Sequence, residues 1–157
     1  MKKVSLFAVC GILMLSCNQS PSLVEPTATN TTISAAADTV SDGVFIHITE
    51  SYNDPHRVLM PLKMAAMMSK DKDVLVYMDI HAVELLVKGA KDVNYSDFLS
   101  AQTYIKDLIA NNVGVYACPT CLAIAGFKPE DLMDGVQLAQ KDKFFNFTKG
   151  RIITLDY

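Results

Sequence analysis

Val113-Gly114-Val115-Tyr116-Ala117-Cys118-Pro119-Thr120-Cys121-Leu122-Ala123-Ile124-Ala125-Gly126 is the stretch on which the reading of this chain turns. Val113 to Ala117 is an apolar run rich in β-branched residues, which predicts a buried strand. Pro119 has the fixed φ and missing N–H that suit a first helical turn. Leu122 to Ala125 continue that helix, and Gly126 is placed to stop it. Cys118 therefore falls where a strand hands over to a helix, with Cys121 one turn further on. Unpaired amide N–H groups and the positive end of the helix dipole favour an anion there, so the thiolate form of Cys118 is expected to be stabilised. Cys118 is the leading candidate for chemistry in the chain, and Cys121 is its natural partner.

Working outward, strands alternate with helices. Val44-Phe45-Ile46-His47-Ile48-Thr49 and Asp73–Ile80 read as strands, the second apolar on both faces, as a parallel sheet covered by helices requires. Asp54-Pro55 signals a helix cap and first turn, and Val58, Leu59, Leu62, Ala65, Ala66 and Met68 form its stripe. Pro61 is expected to kink that helix or to mark its true start. A short helix follows over Ala82–Lys88, closed by Gly89, and a longer amphipathic one over Phe98–Ile109. Beyond Gly126 come one more turn at Pro129, a short strand at Val136-Gln137-Leu138, a helix over Lys141–Phe147 and a closing strand from Ile152. Five strands with intervening helices imply an α/β fold: three α/β/α layers around an open, mostly parallel sheet. Its functional crevice lies beyond the carboxyl ends of the strands, where Cys118 is placed.

The amino end has a different character. Met1-Lys2-Lys3 followed by Val4–Leu15 has the anatomy of an export signal. At about 1.5 Å per residue the apolar run reaches about 18 Å, short of the ~30 Å core of a bilayer. Met14-Leu15-Ser16-Cys17 resembles the bacterial lipobox, in which the chain is cut before a cysteine that is then acylated. The implied organisation is a signal over residues 1–16, a lipid-bearing Cys17, a flexible tether over residues 17–42 and a folded domain over residues 43–157. The Ser-, Thr-, Ala- and Pro-rich tether has too few large apolar groups to offset the entropy of ordering it. The expected location is the cell envelope, with the protein lipid-anchored to a bacterial membrane and its domain in the periplasm or outside. Of four cysteines, Cys10 falls in the discarded segment and Cys17 carries lipid, which leaves Cys118 and Cys121 and excludes a disulfide framework.

The chain of 157 residues is half apolar and carries a formal charge of −3. That supports one domain with a real core, and it supplies no basic face for a phosphate backbone, so no nucleic-acid partner is expected.

Ala117-Cys118-Pro119-Thr120-Cys121-Leu122-Ala123-Ile124-Ala125-Gly126, followed by Pro129, Leu132, Met133, Asp134 and Gly135, resembles the DsrE/DsrF-like family. Val74–Asp79, Val83-Glu84-Leu85 and Arg151–Tyr157 are similar to it as well. The resemblance implies a sulfur-relay domain that works as a homo- or hetero-oligomer with sulfur donor and acceptor proteins. In the sulfur-carrying branch, the cysteine eight residues before the glycine holds a persulfide, and by that spacing the role passes to Cys118. Ala125 stands where many relatives carry Arg. Cys121 departs from single-cysteine members, and its thiolate is placed to attack a Cys118 persulfide, releasing sulfide and closing a disulfide.

Two other readings stay open. Cys-Pro-Thr-Cys on a strand-to-helix turn also suits a thiol–disulfide oxidoreductase, and an inert or merely packed pair would leave a non-catalytic, oligomerising interaction module. Asp79 and His81, after the second strand, are candidates to line the crevice and tune a thiolate, against the plainer reading of a solvated loop pair. His47 reads as a satisfied core or edge histidine. Cys118, Cys121 and His81 fall short of a closed zinc site, so neither metal nor cofactor is expected. Met64, Met67 and Met68 read as core or interface filler. Phe144, Phe145 and Phe147 are candidates to cover a subunit interface.

Overall fold

A computed structural model describes residues 40–144 and 146–157. The signal segment, Cys17, the tether up to residue 39 and Phe145 lie outside the described residues.

The apolar runs found above become the central strands. β1 (Gly43–Ile48) pairs in parallel with β2 (Asp73–Met78), Val44 opposite Val74 and His47 opposite Tyr77. β3 (Gly114–Ala117) adds to β2, β4 (Gln137–Leu138) to β3, and β5 (Ile152–Asp156) to the free side of β1. The sheet is parallel throughout, in the order β4-β3-β2-β1-β5.

Between β1 and β2 runs α1 (Pro55–Met68), where Asp54 Oδ1 accepts from the Arg57 amide at 3.1 Å and Pro55 opens the first turn. Pro61 lies inside this helix instead of starting it. The start is set by the Asp54 cap, and the buried stripe of Val58, Leu59, Leu62 and Ala65 continues across the proline. A short 3₁₀ turn, Ala82–Leu86, stands where a helix to Lys88 was expected, and Gly89 follows it with φ +77°. α2 (Ala101–Ala110) begins later than its apolar stripe suggested. Ser100 Oγ takes the Thr103 amide at 3.3 Å and fixes the start, leaving Phe98 and Leu99 outside. α3 (Pro119–Ile124) follows β3 directly. A second 3₁₀ turn (Pro129–Asp131) leads to β4, and α4 (Lys141–Phe144) is shorter than expected.

The pleat sorts side chains onto two faces. Val44, Ile46, Ile48, Val74, Val76, Met78, Val115 and Ala117 pack with α1, α2 and Leu122 of α3 in the main core. Phe45, His47, Tyr77 and Tyr116 take the other face. The chain steps outward from β1 to β4 and then crosses back over that face to reach β5. On this return the Phe144 ring lies 5.4 Å from Phe45, 4.8 Å from Tyr77 and 5.9 Å from Tyr116, so it covers the sheet of its own chain. Leu62 is fully buried. Leu62→Ala is therefore expected to lower the unfolding free energy by about 2–5 kcal/mol in urea denaturation, the lost transfer energy plus a cavity.

Candidate functional site

Parallel strands end together, so the residues just past β1, β2 and β3 gather at one rim. The amide of Asp79 donates to Ile48 O, that of Cys118 to Met78 O, and that of Ala139 to Ala117 O. Cys118 caps α3 with extended backbone, and its Sγ accepts from the Cys121 amide at 3.5 Å. Gly126, at φ +84°, ends the segment as expected.

Both cysteines are free and partly buried. They sit in different electrostatic settings. Burial alone would raise the Cys118 thiol. Against that, the nearby Tyr77 hydroxyl, the Cys121 amide and thiol, and the Thr120 amide favour the thiolate and together hold Cys118 below the ordinary thiol range; of these, the Cys121 amide donates to Sγ at 3.5 Å. Cys121 is pushed up, first by burial, then by the neighbouring Cys118 sulfur and the Asp79 charge, against a donated Ile80 N–H. Tyr77 is also raised, by burial first and then by Cys118 and Asp79, so it stays a phenol and keeps a proton to donate. α3 is only six residues long, so the individual amides at its start act on Cys118 more than any macrodipole does.

Tyr77 was not a sequence candidate. It sits opposite His47 and Tyr116 in the ladder, and the pleat aims it at the face that leads to Cys118. His47 stacks on its ring at 5.4 Å and 24°. His47 Nδ1 hydrogen-bonds Asp156 Oδ1 at 2.9 Å. Its Nε2 lies 2.9 Å from Asp79 Oδ1, off the line of a good hydrogen bond. Asp79 is therefore not a solvated loop residue: 18% of its side chain is exposed, and it abuts His47. Its charge reaches Cys121 and Tyr77 without entering the donor set of Cys118. The strand order reverses between β1 and β5, where His47 meets Asp156, whereas Cys118 stands two strands away at the end of β3.

His81 is mostly solvated, with Nδ1 3.9 Å from Glu84 Oε1. With Ile80, Glu84, Ile124 and Ala125 it lines a half-open, mainly apolar hollow of about 400 Å³, whose wall includes Cys121 but not Cys118. Among the described residues, no group of three or more His, Cys, Asp or Glu side chains is arranged to hold a metal ion.

The turn carrying this wall is strained. Ile80 has φ +47°, in the left-handed region where Cβ crowds the backbone, and a β-branched residue there is a true outlier. The Ala82 amide closes the turn on Asp79 O at 2.8 Å. Ile80→Gly is expected to stabilise the fold by about 0.5–1 kcal/mol, the relieved strain less the entropy glycine adds to the unfolded chain. A clear loss in urea denaturation would mean that the side chain's contacts outweigh the strain.

Residues 42–154 match the DsrE/DsrF-like family. The chain belongs to that family. Among solved structures, the ychN protein from E. coli is similar at 20% identity and a TM-score of 0.54, covering 73% of this chain and 99% of its own. MTH1491 from Methanobacterium thermoautotrophicum, titled a protein of unknown function, is similar at 18% identity and a TM-score of 0.54, covering 73% of this chain and 100% of its own. At those identities the two share the DsrE-like fold, and nothing finer is carried by them. No curated protein matches the sequence. The sulfur-relay-type fold expected from the cysteine segment is thus the fold of this chain.

Proposed function

We propose that this DsrE-like protein handles sulfane sulfur through Cys118, with Cys121 as the resolving thiol. The observation that carries the reading is the place of Cys118 as the cap of α3, where its Sγ accepts from the Cys121 amide at 3.5 Å, with the Tyr77 hydroxyl and the Thr120 amide nearby also favouring the thiolate. Such donors favour an anionic sulfur, and a terminal persulfide anion needs the same support. In the first step the Cys118 thiolate attacks a sulfane sulfur of a donor R–S–SH. A new S–S bond forms at Cys118 as the donor's S–S bond breaks, and RS⁻ leaves. An acceptor thiolate then takes the outer sulfur and releases Cys118 as thiolate. Alternatively the Cys121 thiolate attacks Cys118 Sγ itself. That closes Cys118–Cys121 and expels HS⁻: the sulfane sulfur is reduced to sulfide and the two cysteines are oxidised by two electrons.

Mass spectrometry after polysulfide treatment tests the reading. An added sulfur mapped to Cys118 and absent from Cys118→Ser is expected. Catalysed insulin-disulfide reduction with no sulfur adduct would favour the second reading, a thiol–disulfide oxidoreductase, for which the asymmetry between the two thiols is equally suited. Neither result would leave a non-catalytic interaction module.

The proposal includes export and lipid anchoring at Cys17, supported by Lys2-Lys3, the short apolar run and Met14-Leu15-Ser16-Cys17. Radioactive palmitate incorporated into the protein and lost in Cys17→Ala is the expected result. No helix among the described residues is long and apolar enough to cross a membrane. We also propose that the domain associates with copies of itself or with related subunits, as its family membership suggests. Light scattering that returns the mass of a single chain would contradict this.

A further inference from the structure

The two sulfurs open onto different surroundings among the described residues. Cys118 Sγ accepts from the Cys121 amide of its own cap at 3.5 Å. Cys121 forms part of the wall of the hollow between the turn after β2 and α3. The volume, about 400 Å³, lies within the range that holds small molecules, roughly 300–1,000 Å³. Ile124 is 81% exposed and Ile80 53% exposed at its edges. The polar groups of the wall are the His81 imidazole and the Glu84 carboxylate, and neither lysine nor arginine lines it. Lys88, in the adjoining hollow across Glu84 and Ala125, is turned to Glu130 O at 3.2 Å and Asp134 Oδ1 at 3.7 Å. A second negative charge carried on an entering thiol would meet a carboxylate and neither lysine nor arginine, whereas an uncharged organic group would meet isoleucine and alanine.

We propose that this hollow is the docking site of a small uncharged thiol that reopens the Cys118–Cys121 disulfide by attacking Cys121. The inference rests on the proposed closure of that pair. In the first step the thiol gives its proton to solvent, and the resulting RS⁻ forms an S–S bond to Cys121 Sγ as the Cys118–Cys121 bond breaks. The electron pair leaves on Cys118 Sγ, which lands among the Thr120 and Cys121 amides and the Tyr77 hydroxyl. A second thiolate then attacks the sulfur of R, yielding RSSR and free Cys121. The disulfide gains two electrons and two thiols are oxidised. The better-stabilised thiolate is thereby the leaving group, the faster direction for exchange. The strained Ile80 belongs to the same device, since its side chain shares the wall of the hollow with Cys121.

The test uses the full chain oxidised with diamide, so that no sulfur donor is involved and a failed polysulfide experiment leaves it interpretable. Reduction by 2-mercaptoethanol is compared with reduction by 2-mercaptoethanesulfonate, each rate normalised to thiolate concentration. Quenched samples are mapped for the mixed disulfide. The uncharged thiol is expected to react roughly tenfold faster, the scale of one unfavourable charge contact at short range, with the adduct on Cys121. Ile124→Lys, at a side chain too exposed to hold the fold together, is expected to bring the two rates within about threefold by supplying the missing counter-charge. A mixed disulfide on Cys118, equal rates in the wild type, a ratio unmoved by Ile124→Lys, or no disulfide under diamide would each overturn the proposal.

Discussion

Cys121→Ser is expected to turn a fleeting sulfur adduct on Cys118 into a persistent one. In the wild type the Cys121 thiol is three residues away, on the residue whose amide donates to Cys118 Sγ at 3.5 Å. Attack on a Cys118 persulfide is therefore intramolecular, and well-placed intramolecular steps gain many orders of magnitude over bimolecular ones. Serine keeps the size and the hydrogen-bonding role but cannot form the disulfide. The lifetime of the adduct, followed by mass spectrometry after the polysulfide is removed, should lengthen by at least about a hundredfold. Sulfide release should fall in step. Equal lifetimes in the two proteins would show that Cys121 does not resolve Cys118 and would return the pair to a packing role.

The second large effect belongs to Tyr77. Tyr77→Phe removes one hydroxyl and leaves the ring that packs on His47 and Phe144. A hydrogen bond to a charged group contributes about 1.5–3 kcal/mol. At a half-open rim, solvent screening leaves only a part of that. The sign follows from the charge: the hydroxyl favours the thiolate, so removing it raises the Cys118 midpoint. Alkylation near neutral pH should then slow roughly tenfold. The same linkage acts on stability. A thiol held low in the folded state contributes stability that is present above its unfolded pKa and is lost as pH falls through its folded pKa. Tyr77→Phe should flatten that dependence in urea titrations run across the range. An unchanged alkylation midpoint would remove Tyr77 from the site.

How much of this could be read beforehand depends on how local each feature is. Cys118 as a cap was legible because Pro119 and Gly126 mark both ends of α3, and both do what their backbone preferences dictate. The strands at Val44 and Val74 were legible as apolar runs of the right length. Helix starts were less so. Phe98 continues the stripe of α2, yet the Ser100 cap begins the helix later, because a cap is set by one hydrogen bond and not by periodicity. Asp79 and His81 are neighbours in sequence that parted company in space: the first abuts His47, and the second opens to solvent beside Glu84.

The His47–Asp156 contact was out of reach. Its members are 109 residues apart and meet only because β5 returns to the free side of β1, a choice of topology that no short window encodes. Tyr77 lay between these cases. Its place two residues before Asp79 on one face of β2 was readable, but its reach to Cys118 required knowing that β3 lies beside β2.

The central claim is that Cys118 ionises more readily than a free cysteine, and site-resolved alkylation tests it most directly. Wild-type protein is treated with iodoacetamide across a range of pH, and the rate at Cys118 is read separately from Cys121 by peptide mapping. A Cys118 midpoint below the ordinary thiol value of about 8.5 is expected, with Cys121 reacting only at higher pH. A Cys118 midpoint at or above that value, or Cys121 titrating first, would contradict the claim.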